Sequence, residues 1–175
     1  MNKNRIGCVL FLAVLVSILV TGVGYGFSQQ ALDKLLNTQE CTWCDLQNAD
    51  LSGANLSRAK LSGSSLTGAN LSKANLADAD MLSVRLTRAN VSGANLSGAF
   101  LKSANLREAN LTGANLSRAN LSQANLSFAN LSGADLSDAD LSNATWTDGT
   151  KCADGSNGAC RKEQNPTAGP GAFPF

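Results

Sequence analysis

The chain has 175 residues, 14 basic and 13 acidic, with a formal net charge of +1, and its length suits about one domain. This balance predicts neither a strongly basic surface for nucleic acid nor a strongly acidic one. Because the sequence contains no histidine, Ser-His-Asp and Cys-His catalysis and histidine-ligated zinc are excluded.

The N-terminal segment, residues 1–27, has the pattern of a targeting signal. Lys3 and Arg5 precede an uncharged run of 22 residues, IGCVLFLAVLVSILVTGVGYGF, at positions 6–27. A basic region followed by an apolar run is typical of a cleaved secretory signal, but this run is also long enough to remain as a membrane anchor. In both cases the positive flank stays on the cytoplasmic side, so we expect residue 28 onward to be exported.

Residues 28–40 predict a short helix that caps the structure following it. Ser28 can act as the N-cap, and Leu32, Leu35 and Leu36 are expected to share one apolar helical face. Such a face would cover the exposed end of an apolar core.

From residue 44 to residue 146 the sequence repeats every five residues without an insertion. The central position of the 21 units is leucine except at Met81, Val91 and Trp146, and alanine usually stands two residues before it. A period of five fits neither a helix nor a strand. In a short extended segment, Ala and Leu two apart point the same way, and the extra residue is available for a corner. The pattern therefore predicts a solenoid in which each unit buries its apolar side by stacking.

The repeated A[DN]LSx unit resembles the pentapeptide-repeat family over about residues 41–150. The resemblance implies an all-β fold, a right-handed quadrilateral β-helix in which four units form one square coil and residues twenty apart stack. At about 4.8 Å per coil, about five coils would form a rod about 25 Å long. A stacked rod needs a cap at each end, and Trp146 is expected to help to close the far one.

Two cysteine pairs flank the repeats. Cys41 and Cys44 fall at inward positions, so we expect small buried residues or a local disulfide; the alternative, a redox-active pair, lacks an accompanying general base. Cys152 and Cys160 enclose a glycine-containing loop, which in an exported protein is typical of a disulfide. A zinc site shared by both pairs is excluded because they lie at opposite ends of the rod. The fifth cysteine, Cys8, lies in the N-terminal segment.

Both ends of the repeat also resemble exported cyanobacterial members of the pentapeptide-repeat family. LLNTQECTWCDL resembles the segment with which their repeats begin, and TDGTKC followed by GSNGAC resembles their cysteine-bracketed end. Residues 151–175 are accordingly expected to form a disulfide-bracketed loop and then a disordered tail rich in proline and glycine.

The twenty-residue stacking places Leu82 and Phe100 diagonally adjacent on one outward face. Nowhere else do two large apolar residues replace Ser or Asn at neighbouring exposed positions. We interpret the pair as a candidate docking site for another protein. The alternative is two isolated surface apolar residues, which are common on proteins.

These observations favour a non-enzymatic, exported rod that acts as a protein-interaction or structural scaffold in the periplasm, or in the thylakoid lumen of a cyanobacterium. The alternative is a membrane-anchored structural surface module. Family members that inhibit DNA gyrase resemble B-DNA through an acidic rod, but nine acidic and eight basic residues within the repeats do not give one. The sequence predicts no catalytic, cofactor-binding or metal-binding residue and no nucleic-acid partner. We expect contact with a membrane only through the N-terminal segment, if that segment is not cleaved.

Overall fold

Parallel pairing between residues twenty positions apart organises the chain. The structure is a computed structural model that describes residues 28–162. In it Glu40 forms a parallel β-bridge with Lys60, and the same pairing recurs every fifth residue as far as Asn125 with Thr145. Since four successive units pass before the chain stacks on itself, each coil is four-sided. These are single-residue bridges, and no longer strand is present among the described residues.

Backbone hydrogen bonds join each coil to its neighbours along the rod. The N–H of Leu46 donates to the carbonyl of Ser65 at 2.8 Å, and the N–H of Ser65 donates back to the carbonyl of Cys44 at 2.9 Å. A third bond joins the N–H of Asn48 to the carbonyl of Thr67 at 2.9 Å. Most backbone polar groups of an inner coil are therefore satisfied by the coils above and below it, as buried backbone requires.

The fifth residue of each unit is accommodated in a tight turn. Residues 46–49 form such a turn, in which the N–H of Ala49 donates to the carbonyl of Leu46 at 3.1 Å. Asn48, the third residue of the turn, has φ 60°. A four-residue turn with positive φ only at its third residue is a type II turn, which favours glycine there. The chain places glycine at some corners, as at Gly53, but larger residues at many others, including Phe128 with φ 60°.

The inward side chains form one continuous apolar core. The central leucines and the alanines two residues before them are buried, and Met81 and Val84 fill the same inward positions without exposure. Burying a leucine contributes about 1.5–3 kcal/mol, so the stacked interior is the main stabilising feature. Near the C-terminal end Leu131 and Leu136 are only partly buried.

One helix, α1 (Gln29–Thr38), lies at the N-terminal end of the rod. The side chain of Ser28 accepts a hydrogen bond from the N–H of Ala31 at 3.3 Å, as expected of an N-cap. Gln39, just after the helix, is its C-cap residue: it has φ 57° and donates its N–H to the carbonyl of Leu35. Its position is consistent with a cap.

The apolar face of α1 differs from the prediction at one residue. Leu35 is fully buried in the core and Leu32 packs against it, but Leu36 is 53% exposed. The prediction is wrong for Leu36 because successive helical residues are about 100° apart. Ala31, Leu32 and Leu35 already occupy the side that faces the rod, so Leu36 is turned toward solvent.

A disulfide joins Cys41 to Cys44 in the first coil, and Cys41 is fully buried. Ser64, which replaces the usual alanine of the repeat, lies beneath this pair and is also buried. Its hydroxyl donates to the carbonyl of Cys41 and accepts from the N–H of Cys44. The exception at Ser64 therefore supplies hydrogen bonds to backbone groups of both disulfide-bonded cysteines.

The chain reverses after the last repeat and pairs antiparallel with the final coil. Thr145 pairs with Lys151, Asp140 with Asn157, and a disulfide joins Cys152 to Cys160. Trp146 is partly buried against the core. The resulting cap covers the last coil incompletely, which accounts for the partial exposure of the nearby leucines.

A surface ion pair closes the end of this C-terminal cap. Lys162 Nζ lies 2.7 Å from Asp148 Oδ2. The hydrogen bond from Lys162, together with those from Thr150, holds the pKa of the Asp148 carboxyl far below its usual range. The carboxylate is therefore charged whenever the cap is formed near neutral pH.

Some predictions lie outside the described residues. These are the targeting or anchor segment at residues 1–27, with Cys8 in it, and the disordered tail in residues 163–175. Within residues 28–162 no helix is both long and apolar enough to span a bilayer.

We expect Leu101→Ala to lower the free energy of unfolding by about 2–5 kcal/mol, because the side chain is fully buried and its loss leaves a cavity. The same change at the partly buried Leu131 should cost less. Urea unfolding of both variants tests this, and equal losses would contradict the burial of the central coils.

We also expect Gly63→Ala to cost more than Gly53→Ala. Both residues have positive φ, so alanine is strained by about 1–2 kcal/mol at either. A Cβ at Gly53 meets open space, whereas one at Gly63 would overlap the ring of Trp43. Urea unfolding should show the larger loss at Gly63.

The matched control for this comparison is Gly63→Ala in a Trp43→Ala background. Removing the ring should bring the cost of Gly63→Ala down to that of Gly53→Ala, since only the backbone strain remains. A cost that stays high without the ring would show that Trp43 does not lie over Gly63.

Candidate docking surface

The four sides of the coil give the rod four outward faces. Consecutive bridges stack Lys60, Asp80, Phe100 and Asn120 in one column. Leu82, two residues after Asp80, lies in the next column of the same face. We call this the apolar face, because it bears three of the large exposed apolar side chains of the described residues, at Trp43, Leu82 and Phe100.

Leu82 and Phe100, the two residues that the sequence analysis singled out, lie together in the structure. They are 45% and 56% exposed and line one surface groove with a volume of about 400 Å³. The groove is completed by four polar side chains, those of Asp78, Asp80, Lys102 and Asn120. We call it the Leu82–Phe100 groove. That it binds a partner remains a prediction.

The orientation of Asp80 leaves the floor of the groove apolar. Its Oδ1 accepts hydrogen bonds from the hydroxyl of Ser62 at 2.5 Å and from the N–H of Leu82 at 3.3 Å. Ser62 belongs to the preceding coil, so the carboxylate is directed away from Phe100. Phe100 is held by a backbone bond to the coil that contains Asp80, because its N–H donates to the carbonyl of Ala79 at 2.9 Å.

Trp43 extends the apolar face toward the N-terminal cap, and the sequence analysis missed it. Its side chain is 78% exposed and lies over Gly63 in the next coil. The twenty-residue register applied to position 43 gives positions 63 and 83, next to Leu82. The twenty-residue register is therefore the signal that places Trp43 on the apolar face.

The next face around the rod carries a charged cluster. Arg88 Nε lies 2.7 Å from Glu108 Oε2, and Arg107 lies 3.1 Å from Glu108 Oε1. The hydrogen bond from Arg88 is the largest of the effects that lower the pKa of the Glu108 carboxyl. The guanidinium of Arg107 also lies 5.6 Å from the ring centroid of Phe128, within the range of a cation–π contact. We call this the arginine face.

The face opposite the apolar face is repetitive and polar. Asn70 donates its side-chain amide to Asp50 at 3.1 Å, and Asn90 donates to Asn70 at 3.3 Å, so the amides form a ladder along the rod. Ladders of this kind support the stacking of parallel coils. Serine, threonine and glycine residues fill most of the rest of this face, with Lys73 at its corner, and no large apolar side chain of the described residues is exposed on it.

The described residues offer little for catalysis or metal binding. Between residues 28 and 162 no three cysteine or acidic side chains gather closely enough to hold a metal ion. In the first disulfide the sulfur of Cys41 is enclosed under α1, and only Cys44 is partly exposed. A docking surface is therefore the best-supported kind of site in this part of the chain.

Comparison with solved structures identifies rods of the same kind. The pentapeptide repeat protein Rfr23 from the cyanobacterium Cyanothece is 29% identical, with 67% of this chain and 97% of that chain covered and a TM-score of 0.56. HetL, a pentapeptide repeat protein involved in heterocyst differentiation regulation in Nostoc, is 30% identical, with 64% and 74% covered and a TM-score of 0.43. A pentapeptide repeat protein from the Arabidopsis thaliana thylakoid lumen is 27% identical, with 79% and 90% covered and a TM-score of 0.46.

A comparison with curated protein sequences found no match. The family model for pentapeptide repeats, however, matches residues 40–77, 64–102, 85–123 and 104–143, with eight copies. These matches cover more than half of the sequence and coincide with the stacked coils. The chain therefore belongs to the pentapeptide repeat family, whose members form right-handed quadrilateral β-helices.

Proposed function

We propose that this protein is an exported, non-enzymatic rod of about five coils that serves as a scaffold by binding a partner protein in the Leu82–Phe100 groove. The observation on which the proposal rests is the groove itself. Two large apolar side chains, each about half exposed, stand side by side where the repeat elsewhere has small or polar residues.

The size of the groove suits the anchor residues of a protein partner. A volume of about 400 Å³ has room for one or two large side chains, and binding energy at protein interfaces is concentrated in a few such anchors. Covering Leu82 and Phe100 would contribute about 1.5–3 kcal/mol for each side chain buried in full. The floor is held by inter-coil backbone bonds, so little conformational entropy is lost when a partner binds.

The N-terminal sequence and the cysteines support export. Lys3 and Arg5 ahead of the apolar run at residues 6–27 favour translocation of the following chain. Two disulfides within residues 28–162 are typical of oxidising compartments such as the periplasm. The thylakoid lumen would be the corresponding compartment in a cyanobacterium. The second candidate, a rod anchored by a retained N-terminal segment, is favoured only by the length of that run.

The export proposal predicts a processed and oxidised product in the native host. We expect intact-mass analysis, after alkylation without reduction, to find a soluble chain lacking roughly the first 26 to 28 residues and carrying no alkyl group. A full-length chain in the membrane fraction would favour the anchored module. A soluble full-length chain with five alkylated cysteines would refute export.

The docking proposal predicts that a photo-crosslinking residue at Lys102, beside the groove, reacts with a partner protein in the native host. The variant Leu82→Ser/Phe100→Ser should lose these adducts because the apolar anchors are gone. Its free energy of unfolding should change by only about 0.5 kcal/mol, since both side chains are on the surface.

Two controls make this result specific to the groove. Phe128→Ser removes a phenylalanine that is more exposed than Phe100, 68% against 56%, from the arginine face and should leave the adducts at Lys102 intact. A crosslinker at Thr112, on the polar face, should give none. Adducts that persist in the Leu82→Ser/Phe100→Ser variant would disprove docking at the groove.

A further inference from the structure

The Leu82–Phe100 groove and the arginine face adjoin along one edge of the rod. Ser83, at the corner, and the buried Val84 are all that separates Leu82 from Arg85 along the chain. Arg85 is bridged to Asn105 in the next coil. Lys102, three residues before Asn105, therefore lies on the groove side of the edge. Asn105 and the residues that follow it lie on the arginine face.

Basic side chains predominate along this edge. The exposed cations nearest to this edge are Lys102 and Arg85, whereas Arg107 and Arg88 stand farther across the arginine face, toward its opposite edge. The acidic residue among them, Glu108, is engaged by Arg88 and Arg107. Among the described residues neither Arg85 nor Lys102 takes part in a salt bridge, so their charges are available to a partner. The edge is thus locally basic on a chain that is nearly neutral.

We propose that the segment bound in the Leu82–Phe100 groove is acidic: a peptide stretch of a partner protein with one or two large apolar side chains followed by Asp or Glu residues. The apolar side chains fill the groove, and the carboxylates pair with Lys102 and, across the corner, with Arg85. This inference rests on the proposed function and adds the chemistry of the partner.

The other side of the groove fixes the direction of the bound segment. Asp78 and Asp80 lie on the side away from the arginine face. They repel carboxylates, so the acidic part of the segment must run toward Arg85 rather than across Asp78. The same two carboxylates disfavour anionic lipid headgroups at this place. A concave groove also receives protruding side chains better than it fits a flat bilayer surface, so a protein segment is favoured over a membrane.

Exposed charge pairs of this kind add modest affinity and strong salt dependence. Each changes affinity by about 1.4- to 5-fold, and such contacts act mainly on orientation and association rate. The apolar groove therefore provides most of the affinity, and the two cations select which apolar segment is accepted.

The test uses the full-length chain and three synthetic peptides labelled with a neutral dye. All three contain Leu-x-x-Phe, followed by Glu, by Gln or by Lys residues. We expect fluorescence anisotropy to show the Glu peptide binding at least about tenfold more tightly than the Lys peptide at about 50 mM NaCl. The difference should shrink at about 300 mM NaCl, where exposed charges are screened.

Matched variants locate the effect on the protein. Arg85→Gln/Lys102→Gln should weaken the Glu peptide by about tenfold, as expected for two lost charge pairs. Lys34→Gln/Lys73→Gln removes the same charge from α1 and from the corner beside the polar face, and it should have no effect. Leu82→Ser/Phe100→Ser should weaken all three peptides alike.

Several outcomes would overturn the inference. Equal binding of the three peptides, lost in the Leu82→Ser/Phe100→Ser variant, would disprove the preference for acidic segments and leave the groove as a docking site. If the Glu peptide does not bind even at about 1 mM, the range of very weak affinity, the preference for acidic segments is also disproved. Docking itself is judged separately, by the crosslinks at Lys102. A third outcome is that the protein shows no peptide preference but binds anionic phosphatidylglycerol vesicles, and that Arg85→Gln/Lys102→Gln abolishes this binding. That result would replace the protein segment by a lipid surface.

Discussion

The whole structure depends on the uninterrupted five-residue register. Each coil has no strand long enough to be stable alone and is held by the leucine stack and by backbone bonds to its neighbours. A residue inserted within a coil, unless it looped out at a corner, would shift the following leucines out of the core. No insertion interrupts the register between residues 44 and 146. The register also aligns outward side chains from distant parts of the chain in straight columns.

Because the core and the backbone occupy fixed positions of the repeat, the outward positions can vary without disturbing the fold. Variation is nevertheless uneven among the four faces. The polar face repeats its asparagine ladder along the rod, whereas Trp43, Leu82 and Phe100 all fall on the apolar face. Many corner positions hold larger residues where a positive φ favours glycine. Their side chains extend from the edges of the rod, where two faces can be contacted at once.

The five-residue register by itself predicted a solenoid with buried leucines. The four-sided coil and the meeting of Leu82 with Phe100 also needed the twenty-residue stack, which the resemblance to the pentapeptide-repeat family implied. Features that depend on packing between dissimilar segments were missed. Leu36 was assigned to the wrong side of α1 because the sequence does not show how the helix rotates against the first coil. The antiparallel return of the chain after Trp146, and the pairing of Lys162 with Asp148, depend on contacts that no repeat specifies.

The direction of the inter-coil hydrogen bonds has a mechanical consequence. The covalent chain runs around the rod, while the bonds between coils run along it, as between Leu46 and Ser65. Tension applied between the two ends would therefore act on hydrogen bonds and side-chain packing rather than on the backbone. Each coil that peels away would release twenty residues, an extension of about 60 Å. A rod of this construction would yield to force in steps, one coil at a time, and lengthen severalfold before the chain became taut.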